Sequence, residues 1–333
     1  MVVLGHCIQY GSGNDFLYSA GYYTNTLFRT IYAFHMPLFS LISGYLFRGA
    51  VVKYSVLQNI RRQALRLLLP TVCWTIAYEC YLQIVGGNPL RGAASPDWIR
   101  MLPETILNSH WFFWGIFWSS IIVLLVNRWG KDRVWIYALF CLSLPLFSDQ
   151  FLVRDFYLYA FIFPYFAIGH LAARIDFRKI RRETWCAIAV VLLVIFVLLM
   201  PRFSKSALIY TTKLSIWKED SLRQIVIDGY RWIVGAVGAV LTLLLVYPLW
   251  KFCHAHLPTM NRIVCFWGKQ SAGIYIISTY LNFEILIRLC QAFSPSYLTH
   301  LLLSACVLAV CSGIVLVLER TRMTRLLALG RRR

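Results

Sequence analysis

Charge is scarce in this chain. Asp, Glu, Lys and Arg make up 14% of its 333 residues, against about 25% in ordinary soluble domains. With 59% hydrophobic residues and a mean hydropathy of +0.63, the scarcity excludes a soluble globular domain and points to an integral membrane protein. No CxxC pair occurs among the ten cysteines, and Cys73, Cys80, Cys141, Cys186, Cys306 and Cys311 fall within apolar runs. That excludes a disulfide framework and a zinc site of the usual spacing, so these cysteines act as small buried hydrophobes and no metal is expected. Internal repeats and low-complexity linkers are also missing, so one membrane domain over residues 1–333 is expected.

What charge there is has one dominant sign, +19 net. Nucleic acid is not the expected partner, because the basic residues sit in short clusters between apolar runs, the pattern of the positive-inside rule. The runs are Leu27–Phe47, Leu67–Val85, Trp111–Val126, Val134–Phe147, Phe156–Ala173, Trp185–Met200, Trp232–Trp250, Ser271–Leu289 and Tyr297–Leu318, after an opening Met1–Tyr10. Ten spans follow, an all-α polytopic bundle. Alternate connections hold 22 of the 33 Lys and Arg residues, and their alternation puts both termini in the cytoplasm. Membrane lipid is therefore one partner. The opening segment covers only about half of a hydrocarbon core of about 30 Å, so the true start is expected upstream.

Within Leu27–Phe47, whose 21 residues suffice for one crossing, lie His35 and Pro37. A titratable side chain at membrane depth is costly unless it faces the bundle interior or a water-filled cavity. Helical spacing puts Tyr32, His35, Phe39 and Ser43 on one face. On the expected topology His6 lies about 6 Å and His35 about 12 Å below the external surface, near enough in depth to share one cavity. Histidine can deprotonate a hydroxyl or carry a proton, although a packed histidine bonded to a neighbouring helix is also consistent with either position. Glu79, His170 and Glu284 are the other intramembrane ionisable residues among the runs; Glu79 and Glu284 can partner a histidine or arginine, and His170 reads as structural. His254 and His256 lack further ligands nearby.

Arg62 and Arg66 are four residues apart where the chain re-enters the membrane at Pro70. Paired guanidinium groups suit phosphate; a topology signal touching anionic headgroups is the plainer alternative.

Taken together these pieces resemble the membrane-bound acyltransferase-3 family, in its branch of fucose 4-O-acetylase-like sugar O-acetyltransferases. Val2-Val3-Leu4-Gly5-His6 resembles the first-helix "VVLGH" of that family, and Phe34-His35-Met36-Pro37-Leu38-Phe39 through Ser43-Gly44-Tyr45 resembles "FHMPLF…SGY". Arg62–Pro70 is similar to "RxxxRLxxP", Trp111-Phe112-Phe113-Trp114 to "LWFLW", and Gly268-Lys269-Gln270-Ser271-Ala272-Gly273-Ile274-Tyr275 to "GKxSxxIY". The match runs over nearly the whole chain. It implies about ten helices, an acyl-CoA donor (usually acetyl-CoA), and transfer to a hydroxyl, often on a glycan, at the plasma membrane. By position it implies His6 as catalytic histidine, His35 as a second active-site residue, and Arg62 and Arg66 as contacts for the phosphates of CoA. Two departures stand out: relatives often carry a basic residue about eleven positions before the first histidine, and "IYLLH" where this chain has Ile274-Tyr275-Ile276-Ile277-Ser278. The rival function is a transporter or flippase of lipid-linked glycans, which also needs polar groups at mid-membrane. No matched pair of broken helices in two halves supports it.

Overall fold

The structure, a computed structural model, describes residues 1–10, 21–88, 92–147, 156–213, 220–286 and 296–331. In chain order the helices are α1 (Val2–Tyr10), α2 (Thr26–Lys53), α3 (Val56–Gln63), α4 (Leu69–Val85), α5 (Trp98–Asn108), α6 (Trp111–Gly130), α7 (Val134–Leu146), α8 (Phe156–Ala172), α9 (Arg182–Leu199), α10 (Ser221–His256), α11 (Pro258–Lys269), α12 (Ser271–Leu281), α13 (Tyr297–Leu318) and α14 (Arg322–Leu329). A two-stranded hairpin, Gly87–Asn88 with Gly92–Ala93, follows α4. Two π turns interrupt the helices, Ala64–Leu68 ahead of α4 and Asn282–Leu286 after α12.

The protein is an all-α polytopic membrane protein. Among the described residues six helices are long and apolar enough to cross a membrane: α2, the Val56–Val85 segment, α6, the Arg182–Arg202 segment, α10 and α13. Shorter apolar helices are α7, α8 and α12. The expected run at Trp232–Trp250 is the middle of a 36-residue helix. The end of the run Ser271–Leu289 lies outside the described residues.

The chain divides into two compact units. The first comprises residues 1–31, 65–110 and 258–333. In it α1 packs on α13, on the Asn282–Leu286 turn and on α12, while α14 packs on α4. Val3 and Cys7, one turn apart on α1, join Ile274, Ile277, Val307, Cys311 and Val315 in an apolar core. The indole of Trp74 donates to the Ala328 carbonyl at 3.0 Å, fastening α14. The helix ends at Gly330, whose φ of +66° suits glycine and lets the turn approach the Arg66 carbonyl more closely than a Cβ permits. Glu319 accepts from Gln270 at 2.6 Å and pairs with Arg331 at 3.0 Å, closing the same end.

The second unit comprises residues 32–64 and 111–257. Helices α2 and α8 cross at glycine: a Cβ on Gly44 would strike the Phe166 backbone, and one on Gly169 the Leu41 carbonyl. Small residues permit such backbone approach between membrane helices, where packing replaces the hydrophobic effect. Gly235 and Gly238 of α10 similarly admit Pro37, Tyr165, Phe34 and Phe196. Pro164 withholds its N–H from the α8 ladder, and carbonyls beside it take donors from other helices. Ser40 donates to Ile162 at 2.8 Å and the Trp232 indole to Phe161 at 3.2 Å. Helix α6 lies along α8, and α9 along α10. Between α2 and α3, Ser55 and Gln58 form a reciprocal capping box. Asn59 then ties the bend by donating to the Ala50 and Tyr54 carbonyls.

Candidate functional site

In the first unit His6 rides on α1 at the edge of the buried Val3–Cys7 face. Its ring meets Tyr10 edge-on at 6.1 Å, one turn further along. Its Nδ1 is buried and has no protein partner among the described residues, so it is open to a proton or a hydroxyl donor. The turn against which α1 packs begins with Asn282, fully buried, and carries Glu284 two residues later. Glu284 accepts the Tyr78 hydroxyl at 2.7 Å and the Tyr81 hydroxyl at 3.5 Å. A layer of rings surrounds this pair: Tyr280 lies 4.6 Å from Tyr78 and stacks on Trp74 at 5.9 Å. His110, at the junction of α5 and α6, is buried with φ +45° and faces Tyr280 at 5.3 Å and Tyr275 at 5.8 Å. Next to it, Thr75 donates to Ser109 at 2.8 Å. Tyr275 and Tyr280 of this ring cluster lie on α12, and Asn282 opens the turn after it, both elements against which α1 packs.

In the second unit His35 is buried on α2, against Tyr32 at 4.7 Å on the face that helical spacing predicts. Tyr32 meets Tyr210 at 5.8 Å, and Tyr210 meets Trp111 at 6.0 Å. Phe39, one turn beyond His35, packs on Phe112 at 6.4 Å. The Phe203–Thr212 segment that brings Tyr210 here is held by Arg231, itself 1% exposed. Its guanidinium pairs with Asp228 at 3.0 Å and donates to the Thr212 carbonyl and hydroxyl, each at 2.8 Å. Gln224 completes the network by donating to Asp228 at 2.9 Å.

Far along α2 from His35 is Asp132, in the turn between α6 and α7. Arg48 and Arg174 each reach its carboxylate at 2.5 Å, Tyr137 donates at 2.6 Å and Asn127 at 2.7 Å. Burial pushes this carboxyl up, but the donors from Tyr137, Asn127 and Arg48 prevail and hold it down at about 2. His170 lies 3.4 Å from the same carboxylate and is fully buried, a structural position.

Arg62 belongs to the second unit and Arg66 to the first, both exposed. The Arg62 guanidinium lies over the Tyr54 ring at 4.1 Å, and Arg66 sits within the first π turn. His254 and His256 pack on Trp250 and Phe252 in the last turn of α10. Among the described residues no cluster of His, Cys, Asp and Glu is arranged to hold a metal ion. His6 falls in the first unit and His35 in the second. Reading the sequence missed His110, Asp132, Asp228, Arg231 and Asn282. The polar run Asn108-Ser109-His110 before an apolar helix, and a lone amide inside the last-but-one span, were the available signals.

A family profile described as "Acyltransferase domain" matches residues 1–318. The chain belongs to this acyltransferase family. Nodulation protein NolL of Mesorhizobium japonicum is 26% identical over 231 residues, covering 68% of this chain and 59% of that protein. Nodulation protein NolL of Sinorhizobium fredii is 27% identical over 177 residues, covering 52% of this chain and 45% of that protein. The chain therefore spans about half the length of these curated relatives. No solved structure matches.

Proposed function

We propose that this chain is a plasma-membrane O-acyltransferase, moving an acyl group, acetyl foremost, from acyl-CoA to a hydroxyl of a sugar or surface glycan. Both termini face the cytoplasm. Family membership supports the reaction class, and the observation that carries the assignment to a residue is His6. Its Nδ1 is buried, lacks a protein partner among the described residues, and lies on the helix that packs against the Asn282–Leu286 turn. As general base His6 takes the hydroxyl proton while the oxygen attacks the thioester carbonyl carbon. The C–S bond then breaks, the new C–O ester bond remains, and the proton passes on to the departing thiolate sulfur. Attack by the imidazole itself, through an acyl-histidine, uses the same residue. His35 orients groups from its aromatic setting of Tyr32, Tyr210 and Trp111. Arg62 and Arg66 receive the CoA phosphates through charge-assisted bonds.

The test is reconstitution of the purified chain in liposomes with acetyl-CoA and a panel of glycan acceptors, following free thiol and acetylated product together. Acceptor-dependent thiol release with one ester formed per thiol supports the reading. Release of no thiol from acetyl-CoA or longer acyl-CoAs, with transbilayer movement of a lipid-linked glycan instead, replaces it with a flippase.

A further inference from the structure

Asn282 is fully buried, and among the described residues neither its amide nitrogen nor its amide oxygen has a hydrogen-bond partner. An amide has two donors and an acceptor with two lone pairs. Removing these from water unpaired costs on the order of 1–3 kcal/mol. Most buried polar side chains are satisfied, and one left open calls for an explanation. The residue is closed to solvent and lipid in this structure, so whatever pairs with it enters as the packing around the turn opens.

Its position supplies a second, independent observation. Asn282 opens the π turn Asn282–Leu286, where the helix widens by one residue relative to the α-helical ladder. Such turns are found frequently at functional sites, because they re-aim a side chain at a local cost. This turn is one of the elements against which α1, the His6 helix, packs directly. Two neighbouring polar groups are committed: Glu284 to Tyr78 and Tyr81, and Thr75 to Ser109. Asn108 also has an orphan atom, but it is the acceptor Oδ1 on a half-buried side chain, so it offers no donor. Of Glu284, Thr75, Asn108 and Asn282, only Asn282 brings an N–H pair without a partner among the described residues to the turn that packs on the His6 helix.

We infer that Asn282 is the hydrogen-bond donor to the acyl carbonyl oxygen, building with His6 an acyl-transfer centre within the first unit. The inference rests on the acyltransferase reading above and deepens it. When the hydroxyl oxygen adds to the thioester carbon, the C=O π electrons move onto oxygen and an oxyanion forms. The Nδ2–H group donates to that oxygen, with no proton transferred, and the electrons return to re-form C=O as the C–S bond breaks. A fixed donor aimed at developing charge in a dry site is worth far more than the same bond in water. The same donor serves whether the attacking atom is the acceptor oxygen or the imidazole nitrogen. The cost of the unpaired amide is borne in the resting protein and recovered in the transition state.

The experiment compares wild type, Asn282→Leu and Asn282→Asp in liposomes, measuring kcat, acyl-CoA KM and thermal unfolding. Loss of one oxyanion donor costs roughly 10²–10³-fold in kcat, so Asn282→Leu is expected to lose that much with KM nearly unchanged. Asn282→Leu removes unsatisfied polar atoms, so its unfolding temperature is expected to equal or exceed that of wild type. Asn282→Asp keeps the shape, loses the donor, and is expected to be at least as slow. Wild-type kcat in either variant overturns the assignment, and so does a slow Asn282→Leu that also unfolds earlier, which marks a structural residue. Absence of transfer by the wild-type protein overturns the acyltransferase reading itself, whereas an active wild type with unaffected variants overturns Asn282 alone.

Discussion

The Arg48 guanidinium meets the Asp132 carboxylate at 2.5 Å, joining the end of α2 to the turn between α6 and α7. Arg174, Asn127 and Tyr137 converge on the same carboxylate, which is almost fully buried. An anion surrounded by donors in this way is a strong lock while charged, and removing it leaves two cations facing each other. Asp132→Ala is therefore expected to destabilise the protein by roughly 3–5 kcal/mol, the usual cost of breaking a buried pair. Thermal unfolding in detergent measures it. The pH dependence follows from the carboxyl lying at about 2 in the fold against about 3.9 when unfolded. Because the folded value is depressed, the stabilisation is complete above about pH 4–5 and is lost as pH falls through the folded value near 2. Asp132→Asn is expected to lose that acid-dependent component while its stability stays flat from neutral pH downward.

Arg231 and Asp228 form a second buried pair, and Arg231 also holds Thr212 twice. Arg231→Met alone strands the Asp228 charge and frees the Phe203–Thr212 segment. Loss of roughly 3–5 kcal/mol is expected, together with faster proteolysis at Lys205 and Lys213. The double variant Arg231→Met with Asp228→Leu removes both charges and is expected to recover most of the stability, without recovering the protease resistance that the Thr212 bonds confer. Recovery of both would mean that the Thr212 bonds do not hold the segment.

The phosphate assignment makes a kinetic claim. Arg62 and Arg66 are exposed, so neither supports the fold by burial. Replacing both with Gln is expected to raise the acetyl-CoA KM by an order of magnitude or more, since charge-assisted hydrogen bonds are worth about 1.5–3 kcal/mol. Dephospho-CoA thioesters lack one of the phosphates and are expected to narrow the gap between variant and wild type. An unchanged KM leaves the two arginines as topology signals.

Helix positions were legible in the sequence because long apolar runs admit few other structures. Val134–Leu146, Phe156–Ala172 and Tyr297–Leu318 all fall within a residue of the expected ends. The run at Trp232–Trp250 undershoots α10, because Arg223, Asp228 and Arg231 interrupt its hydropathy; Asp228 and Arg231 pair inside the fold, while Arg223 stays at the surface. The Tyr32–His35 contact followed from helical spacing within one element. Asp132 did not follow, since its partners come from positions 48, 127, 137 and 174 and no single periodicity relates them. Asn282 gives a weaker sequence signal than Glu284 two residues away: a carboxylate stands out at membrane depth, yet two tyrosines satisfy it, while among the described residues nothing satisfies the amide.

The histidines make the sharpest functional claim. His6 is a candidate base because its Nδ1 is buried and, among the described residues, uncommitted, on a helix that packs against the Asn282–Leu286 turn of the first unit. General-base catalysis contributes roughly 10²–10⁴-fold, so His6→Ala is expected to lower kcat by that factor with the protein still membrane-inserted and folded. His6→Gln keeps hydrogen-bonding atoms but cannot take the proton, so it is expected to be nearly as slow. A residue that only packed would tolerate Gln and lose stability with Ala. His35 differs in setting, enclosed by Tyr32 on α2 and buried. If it orients rather than accepts a proton, His35→Gln is expected to retain more activity than His35→Ala, and the pH profile of kcat should shift in neither. Steady-state acetyl transfer across pH 5.5–8.5, with unfolding temperatures recorded for each variant, separates the two roles. Wild-type transfer by His6→Ala would remove the general base from the mechanism, and a glycan flipped rather than acetylated by that variant would return the transporter reading to first place.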